Sequence, residues 1–69
     1  MTSLMVGQVL YGCPDFAEVP WDEHRVEAVG GDWVVARYIG NADCAPAIAT
    51  GPDVHERLAR YLAPPEDEA

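Results

Sequence analysis

Every cysteine and every histidine of this 69-residue chain lies in one of two stretches that share the pattern C-x8-D-x-H. The first stretch runs from Cys13 to His24, and the second runs from Cys44 to His55. A structural zinc ion takes four thiolate or imidazole ligands, so these four residues have the number and the types that a Cys2His2 site needs. The pattern therefore raises a metal-stapled domain as one hypothesis.

The spacing of these four residues argues against zinc. Structural zinc sites draw their ligands in close pairs, which limits the entropy lost on closing the loops, whereas here successive ligands are separated by ten or more residues. The simpler interpretation is a buried free thiol with histidines at the rim of the core. A duplicated unit is also disfavoured, because the two stretches share no hydrophobic pattern. Apart from the zinc alternative, no cofactor is expected.

The charge balance constrains the kind of partner. Twelve acidic residues against four arginines, with no lysine, give a formal net charge of -8. A nucleic-acid backbone would be repelled by this charge, so direct nucleic-acid binding is disfavoured. Opposite charges speed association, so a basic protein partner is favoured.

The strongest functional signal is the segment "PDFAEVPWDE", which sets two aromatic residues among four carboxylates and no cation. Aromatic anchors with an acidic rim are typical of an interface for a basic protein, and spaced carboxylates also imitate the phosphates of DNA. The alternative is that both aromatic side chains fold back into the core. The predicted partner-binding residues are Asp15, Phe16, Glu18, Trp21, Asp22 and Glu23.

An enzyme is not expected. The carboxylates of this segment are numerous enough to form an acid–base pair, but a short loop in a small domain rarely supplies the burial that such a pair needs. Neither cysteine has a neighbouring base, so thiol catalysis has no support. Gly30 and Gly31 are explained by a hairpin turn and do not form a phosphate-binding loop.

That hairpin is the clearest local prediction. "HRVEAVGGDWVVARYI" consists of two β-prone runs around a double glycine, and a two-residue turn at Gly30 and Gly31 avoids placing Arg25 opposite Arg37. The predicted pairs are Val29 with Asp32, Ala28 with Trp33, Val26 with Val35, and His24 with Arg37. Residues 4–11 form a further predicted strand, which is covered on both faces or has a partner on its second face. Residues 12–23 are predicted as an irregular connection that either is functional or contains one helical turn after Pro14. Residues 45–50 form either loop or strand.

A helix is predicted near the end of the chain. Thr50 or Gly51 caps it, Pro52 takes its first position, and Pro64 ends it near Ala63. The apolar stripe of this helix is Val54, Leu58, Tyr61 and Leu62, and Asp53 with Arg57 and Glu56 with Arg60 are i,i+4 ion pairs.

Together these elements predict an α+β fold with an antiparallel sheet of three to four strands and one C-terminal helix packed on one face, the face of Val26, Ala28, Trp33 and Val35. Residues 1–63 form the single domain and residues 64–69 an acidic, disordered tail.

We therefore expect a small, cytoplasmic, non-enzymatic protein-binding module, acting as an inhibitor, an adaptor or a phage-type modulator. No signal peptide or membrane span is expected, because the apolar start of the chain is interrupted by Gly7 and Gln8. A homo-oligomeric structural component is the other alternative beside the metal-stapled domain. Its motivation is the doubly apolar first strand, together with Val34 and Tyr38 on the second face of the hairpin.

Overall fold

The computed structural model describes residues 3–41 and 43–62, which form four strands and one helix. The strands are β1 (Val9–Tyr11), β2 (Glu23–Val29), β3 (Trp33–Tyr38) and β4 (Ala47–Thr50), and the helix is α1 (Val54–Ala59). Each strand pairs antiparallel with the next along the chain, so the sheet has the order β1-β2-β3-β4. The predicted α+β class is confirmed.

The β2–β3 hairpin is also confirmed, but the predicted turn is wrong by one residue. The N–H of Gly30 donates to the carbonyl of Trp33 at 2.8 Å, so Gly31 and Asp32 are the two central residues of the turn. Gly30 is needed for a different reason, because a Cβ there would collide with the indole of Trp33. The double glycine thus serves the packing of a tryptophan as well as the turn.

A β-bulge at Glu27 then changes the register of the same hairpin. Val26 lies opposite Ala36 on one side of the bulge, and Arg25 lies opposite Arg37. This is the like-charge pairing that the predicted turn was expected to avoid. The bulge also explains how it is tolerated, because the Arg37 guanidinium pairs with the Glu27 carboxylate at 2.8 Å.

The new register changes which face of β3 belongs to the core. Val34 and Ala36 are fully buried, whereas Trp33 and Val35 alternate with them and lie half-exposed on the outer face. The expectation that α1 packs on Ala28, Trp33 and Val35 is therefore wrong. The buried hydrophobic core of the described residues consists of Leu4, Leu10, Cys13, Val26, Val34, Ala36, Ala49, Val54 and Leu58.

The first strand is shorter than predicted. Gly7 adopts a φ of 98°, which breaks the extended run, and only the residues from Val9 onward belong to β1. Leu4 is buried, but Met5 and Val6 are exposed. The prediction of a strand over residues 4–11 covered on both faces is therefore wrong. In contrast, residues 45–50, which the sequence left open, contain β4.

Helix α1 is also shorter than predicted. Asp53, rather than Thr50 or Gly51, is the residue before its first position, and Pro52 lies outside it. The helix ends at Ala59, and the chain then turns so that Leu62 forms a β-bridge with Leu10. The apolar stripe nevertheless keeps its role, because its first two residues are buried and the last two pack against the core.

The predicted acidic tail at 64–69 and the predicted helix end at Ala63 lie outside the described residues. Within the part of the chain that is described, no helix is long and apolar enough to cross a membrane.

Candidate functional site

The β1–β2 connection, residues 12–22, holds five of the six residues predicted to contact a partner. Its two ends are joined by a hydrogen bond of 2.7 Å from the N–H of Gly12 to the carbonyl of Asp22. Gly12 has a φ of 66°, and a Cβ on it would collide with the carbonyl of Pro20. This close approach requires glycine, and it fixes the base of the loop.

The first half of the loop forms a single helical turn, which was one of the two possibilities that the sequence left open. The carbonyl of Cys13 accepts hydrogen bonds from the N–H groups of Phe16 at 3.0 Å and Ala17 at 2.7 Å. Asp15, inside this turn, binds Arg57 of α1 through both carboxylate oxygens, at 2.9 Å to Nη2 and 3.3 Å to Nε. The turn is thus attached to the helix by a bidentate ion pair.

Phe16 lies in the structural part of the loop. It is half-buried and packs against the core, and its ring stacks on that of His24 with 5.6 Å between the centroids. The alternative raised from the sequence, that an aromatic residue of this segment folds back into the core, therefore holds for Phe16.

Trp21 behaves in the opposite way and keeps 67% of its surface exposed. Glu18 and Glu23 are exposed on either side of it along the chain. Asp22 is half-buried, and one of its carboxylate oxygens accepts a hydrogen bond of 3.4 Å from the N–H of Glu18. The second half of the loop therefore presents an aromatic side chain among three carboxylates.

Sequence reasoning missed one aromatic residue at the same end of the sheet. Tyr11 is exposed and lies directly opposite Glu23 in the β1–β2 pairing. Successive residues of a strand point to opposite faces, so Tyr11 lies on the outer face because Leu10 points into the core. The inward direction of Leu10 was the information missing from the sequence. We use the term Trp21 patch for Tyr11, Glu18, Trp21, Asp22 and Glu23.

The four candidate metal ligands are not brought together. Among the described residues there is no group of three or more cysteine, histidine, aspartate or glutamate side chains that could hold a metal ion. Cys44 lies in the β3–β4 connection, where its carbonyl accepts a 2.9 Å hydrogen bond from Nη1 of Arg37. The zinc hypothesis has no support in this arrangement.

His55 is committed to the backbone. Its Nδ1 accepts a hydrogen bond of 3.0 Å from the N–H of Leu4, and its Nε2 lies 2.5 Å from the carbonyl of Gly30. A carbonyl only accepts, so the proton belongs on Nε2, and one tautomer makes both bonds. His55 thereby ties the start of the described chain and the hairpin turn to α1, and no ring nitrogen remains for a metal.

Cys13 and His24 are both buried, and burial disfavours their charged forms. It raises the pKa of the Cys13 thiol, which also donates a weak hydrogen bond to Asp15 at 3.9 Å. It lowers the pKa of the His24 imidazole, against an opposing effect of the Asp22 carboxylate. Within residues 3–41 and 43–62, Nδ1 of His24 has no hydrogen-bond partner. Both side chains therefore behave as neutral core groups.

A shallow depression of about 370 Å³ lies where α1 meets the hairpin turn, at the far end of the sheet from the Trp21 patch. Ser3, Asp53 and His55 line it, and these are the residue types of a hydrolytic triad. The imidazole has no free nitrogen to take a proton from Ser3, because both nitrogens bind backbone groups. His55 therefore cannot act as the base of a triad with Ser3 in this arrangement.

No known protein family, curated protein or solved structure gave a significant match to this chain. The candidate site consequently rests on the geometry of the described residues alone.

Proposed function

We propose that this protein is a non-enzymatic binding module that docks on a basic surface of a larger protein through the Trp21 patch. The observation that carries the proposal is the 67% exposure of Trp21 in a loop that is held at both ends. An exposed tryptophan leaves a large apolar surface in water, and tryptophan is among the residues that contribute most to protein interfaces. The module would act as an inhibitor or an adaptor.

The anchoring of the loop supports this role. The Gly12 to Asp22 hydrogen bond fixes its base, and the Asp15 to Arg57 ion pair attaches its first turn to α1. A loop that is ordered before binding loses less conformational entropy when a partner docks. The predicted contact residues therefore have two different roles. Asp15 and Phe16 hold the loop in place, and Trp21 is the exposed side chain that the loop offers to a partner.

The charge of the patch supports a basic partner. Three of its five residues are acidic, and the two exposed carboxylates of Glu18 and Glu23 have no ion pair among the described residues. The net charge of the whole chain is also negative, at -8. Rim charges of this kind mainly raise the association rate, and their effect weakens as salt is added.

The test begins with the tagged wild-type chain used to capture partners from a lysate of its host, followed by affinity measurement with the purified partner. Trp21→Ala should weaken binding by about thirtyfold or more, as expected for an interfacial hot spot worth about 2 kcal/mol. Met5→Ala is the matched control, because Met5 is equally exposed but lies before β1, away from the patch. It should bind as the wild type does.

The acidic rim has its own comparison. Glu18→Gln combined with Glu23→Gln should slow association and flatten its salt dependence, whereas Glu56→Gln on α1 should leave both unchanged. Thermal unfolding of each variant establishes that it is folded. A folded Trp21→Ala variant that binds the captured partner as tightly as Met5→Ala contradicts the proposal.

A further inference from the structure

The two edges of the sheet differ in whether their backbone groups are already paired. The outer edge of β1 is covered, because Leu62 forms a bridge with Leu10 and the N–H of Tyr11 donates to the carbonyl of Tyr61 at 2.7 Å. The outer edge of β4 pairs with no other strand in residues 3–41 and 43–62. An open strand edge is a template for pairing with another chain.

The hydrogen bonds identify the groups that face this edge. Gly51 donates to the carbonyl of Asp32 at 3.0 Å, one step beyond the pair of Trp33 and Thr50. Bonded and non-bonded pairs alternate along an antiparallel ladder, so Ala47 and Ala49 bond to β3, whereas Ile48 and Thr50 point their backbone groups outward. The carbonyl of Thr50 is accordingly reached from outside by Nη2 of Arg57, at 3.0 Å.

The edge therefore has a short and asymmetric set of hydrogen-bonding groups. Ile48 offers both its N–H and its carbonyl. Thr50 offers only its N–H, because Arg57 occupies its carbonyl. Pro46 lies two residues before Ile48, so its backbone also faces outward, but it offers only a carbonyl because proline has no N–H.

We propose that two copies of this chain pair through their β4 edges, antiparallel about a twofold axis at Ile48, to give one continuous sheet. In this register Ile48 faces Ile48, and Thr50 of each copy faces Pro46 of the other. Each Ile48 N–H donates to the opposite Ile48 carbonyl, and each Thr50 N–H donates to the opposite Pro46 carbonyl. The nitrogen of Pro46, which has no proton to donate, lies opposite the Thr50 carbonyl. That carbonyl already accepts a hydrogen bond from Arg57.

Neighbouring registers fit less well. A shift of two residues in one direction sets the Ile48 carbonyl opposite the nitrogen of Pro46, which has no proton to donate. A shift in the other direction sets the Ile48 N–H against the Thr50 carbonyl, where it competes with Arg57. Self-pairing at Ile48 is thus the register in which the donors and acceptors of the edge match.

The lack of charge at this edge distinguishes a second copy from a basic peptide. Residues 44–51 contain no charged side chain, in a chain whose net charge is -8. Arg37 and Arg57 lie at the two ends of this segment, with their guanidinium groups on the carbonyls of Cys44 and Thr50. Both guanidinium groups are already paired with carboxylates, Arg37 with Glu27, and Arg57 with Asp15 and Asp53. The edge itself is therefore close to neutral, so it does not attract a basic strand, and two copies meet there without like charges on the paired strands.

The outer face adds apolar contact to the same interface. Ile48 is 59% exposed and lies opposite the half-exposed Val35 on that face. Pairing at Ile48 brings the two isoleucine side chains directly opposite each other, where cross-strand neighbours stabilise a sheet. Natural edges are usually protected by charged side chains, and the side chains of β4 include none.

Sedimentation equilibrium of the full chain over a wide concentration range tests the proposal. The wild type should approach twice the monomer mass of 7.5 kDa. Ile48→Lys should raise the dimer dissociation constant about tenfold or more, because a lysine on a strand edge opposes pairing. Met5→Lys, an exposed apolar position away from β4, should leave it unchanged, and so should Trp21→Ala.

A crosslink tests the register. In a Cys44→Ser background, Ile48→Cys should form an intermolecular disulfide on oxidation, since directly opposed residues lie within disulfide reach, whereas Met5→Cys should not. A wild type that stays monomeric at every concentration overturns the proposal. So does a dimer that Ile48→Lys leaves intact or that Trp21→Ala dissociates. These outcomes are independent of partner binding at the Trp21 patch.

Discussion

Arg57 on α1 binds both carboxylate oxygens of Asp15, a residue 42 positions earlier in the chain. The same guanidinium also pairs with Asp53 at 2.9 Å and with the carbonyl of Thr50 at 3.0 Å. One side chain therefore connects the β1–β2 loop, the end of β4 and the start of the helix. The sequence predicted the Asp53 pair from its i,i+4 spacing, but the Asp15 contact depends on the fold.

The two carboxylates that Arg57 binds should differ in their effect on stability. Asp15 has 22% of its side chain exposed and makes a bidentate contact, whereas Asp53 has 67% exposed and makes a single contact. Asp15→Asn should lower the midpoint of thermal unfolding more than Asp53→Asn does, and the difference should shrink at high salt. Equal midpoints for the two variants at low salt would contradict this.

The glycines of the first half of the chain provide a second comparison. Gly7 and Gly12 both have positive φ, but a Cβ at Gly7 meets no atom of the described part of the chain within 4 Å, whereas at Gly12 it collides with the Pro20 carbonyl. Gly7→Ala should cost about 1 kcal/mol of unfolding free energy from the backbone conformation alone. Gly12→Ala should cost more, as measured by urea unfolding, because the loop base must also open. A smaller loss for Gly12→Ala would show that the loop base yields easily.

The fold class and the order of the elements could be predicted from local sequence patterns. The register of the β2–β3 hairpin could not. The alternation around the double glycine predicted a hairpin, but no local pattern in the sequence indicates the bulge at Glu27, which shifts the register between Val26 and Ala28. The close approach of the Trp33 indole to Gly30 follows from the observed turn and could not be inferred from the turn that was predicted. A shift of one residue exchanges the two faces of a strand, so the core face of β3 was assigned incorrectly.

The candidate site shows the same division. The segment from Asp15 to Glu23 was identified from composition, because aromatic residues among carboxylates are visible in the sequence. Which aromatic residue is exposed depends on the turn after Cys13, which directs Phe16 toward His24 and leaves Trp21 in solvent. Tyr11 joins the patch only through its pairing with Glu23.

The two cysteines should differ in reactivity. Cys13 is fully buried, and burial raises its pKa, so little of it is accessible thiolate, whereas Cys44 is half-exposed in the β3–β4 connection. Iodoacetamide should add one group rapidly to the native protein and a second only on unfolding, as counted by mass spectrometry. Cys44→Ser should abolish the rapid step. Rapid labelling of that variant would show that Cys13 is reached without unfolding.

His24 should make the stability of the protein depend on pH. The imidazole is buried between Phe16 and Tyr38, with ring centroids at 5.6 Å and 5.5 Å, and no described residue hydrogen-bonds to its Nδ1. Burial lowers its pKa in the folded state, and Asp22 opposes this effect only in part. Above the pKa of an unfolded histidine, about 6.5, both states are neutral and the side chain has no effect on the pH dependence.

Below that pH the unfolded chain binds a proton more readily than the folded protein, so the free energy of unfolding should fall as pH is lowered toward the folded-state pKa of His24. His24→Phe keeps an aromatic ring between Phe16 and Tyr38 but cannot be protonated. Urea unfolding of both proteins from neutral pH down to about pH 5 isolates the effect of His24, because the two proteins share every other titratable group. The wild type should lose more stability over this interval than the variant, and parallel pH profiles would show that His24 is protonated without unfolding.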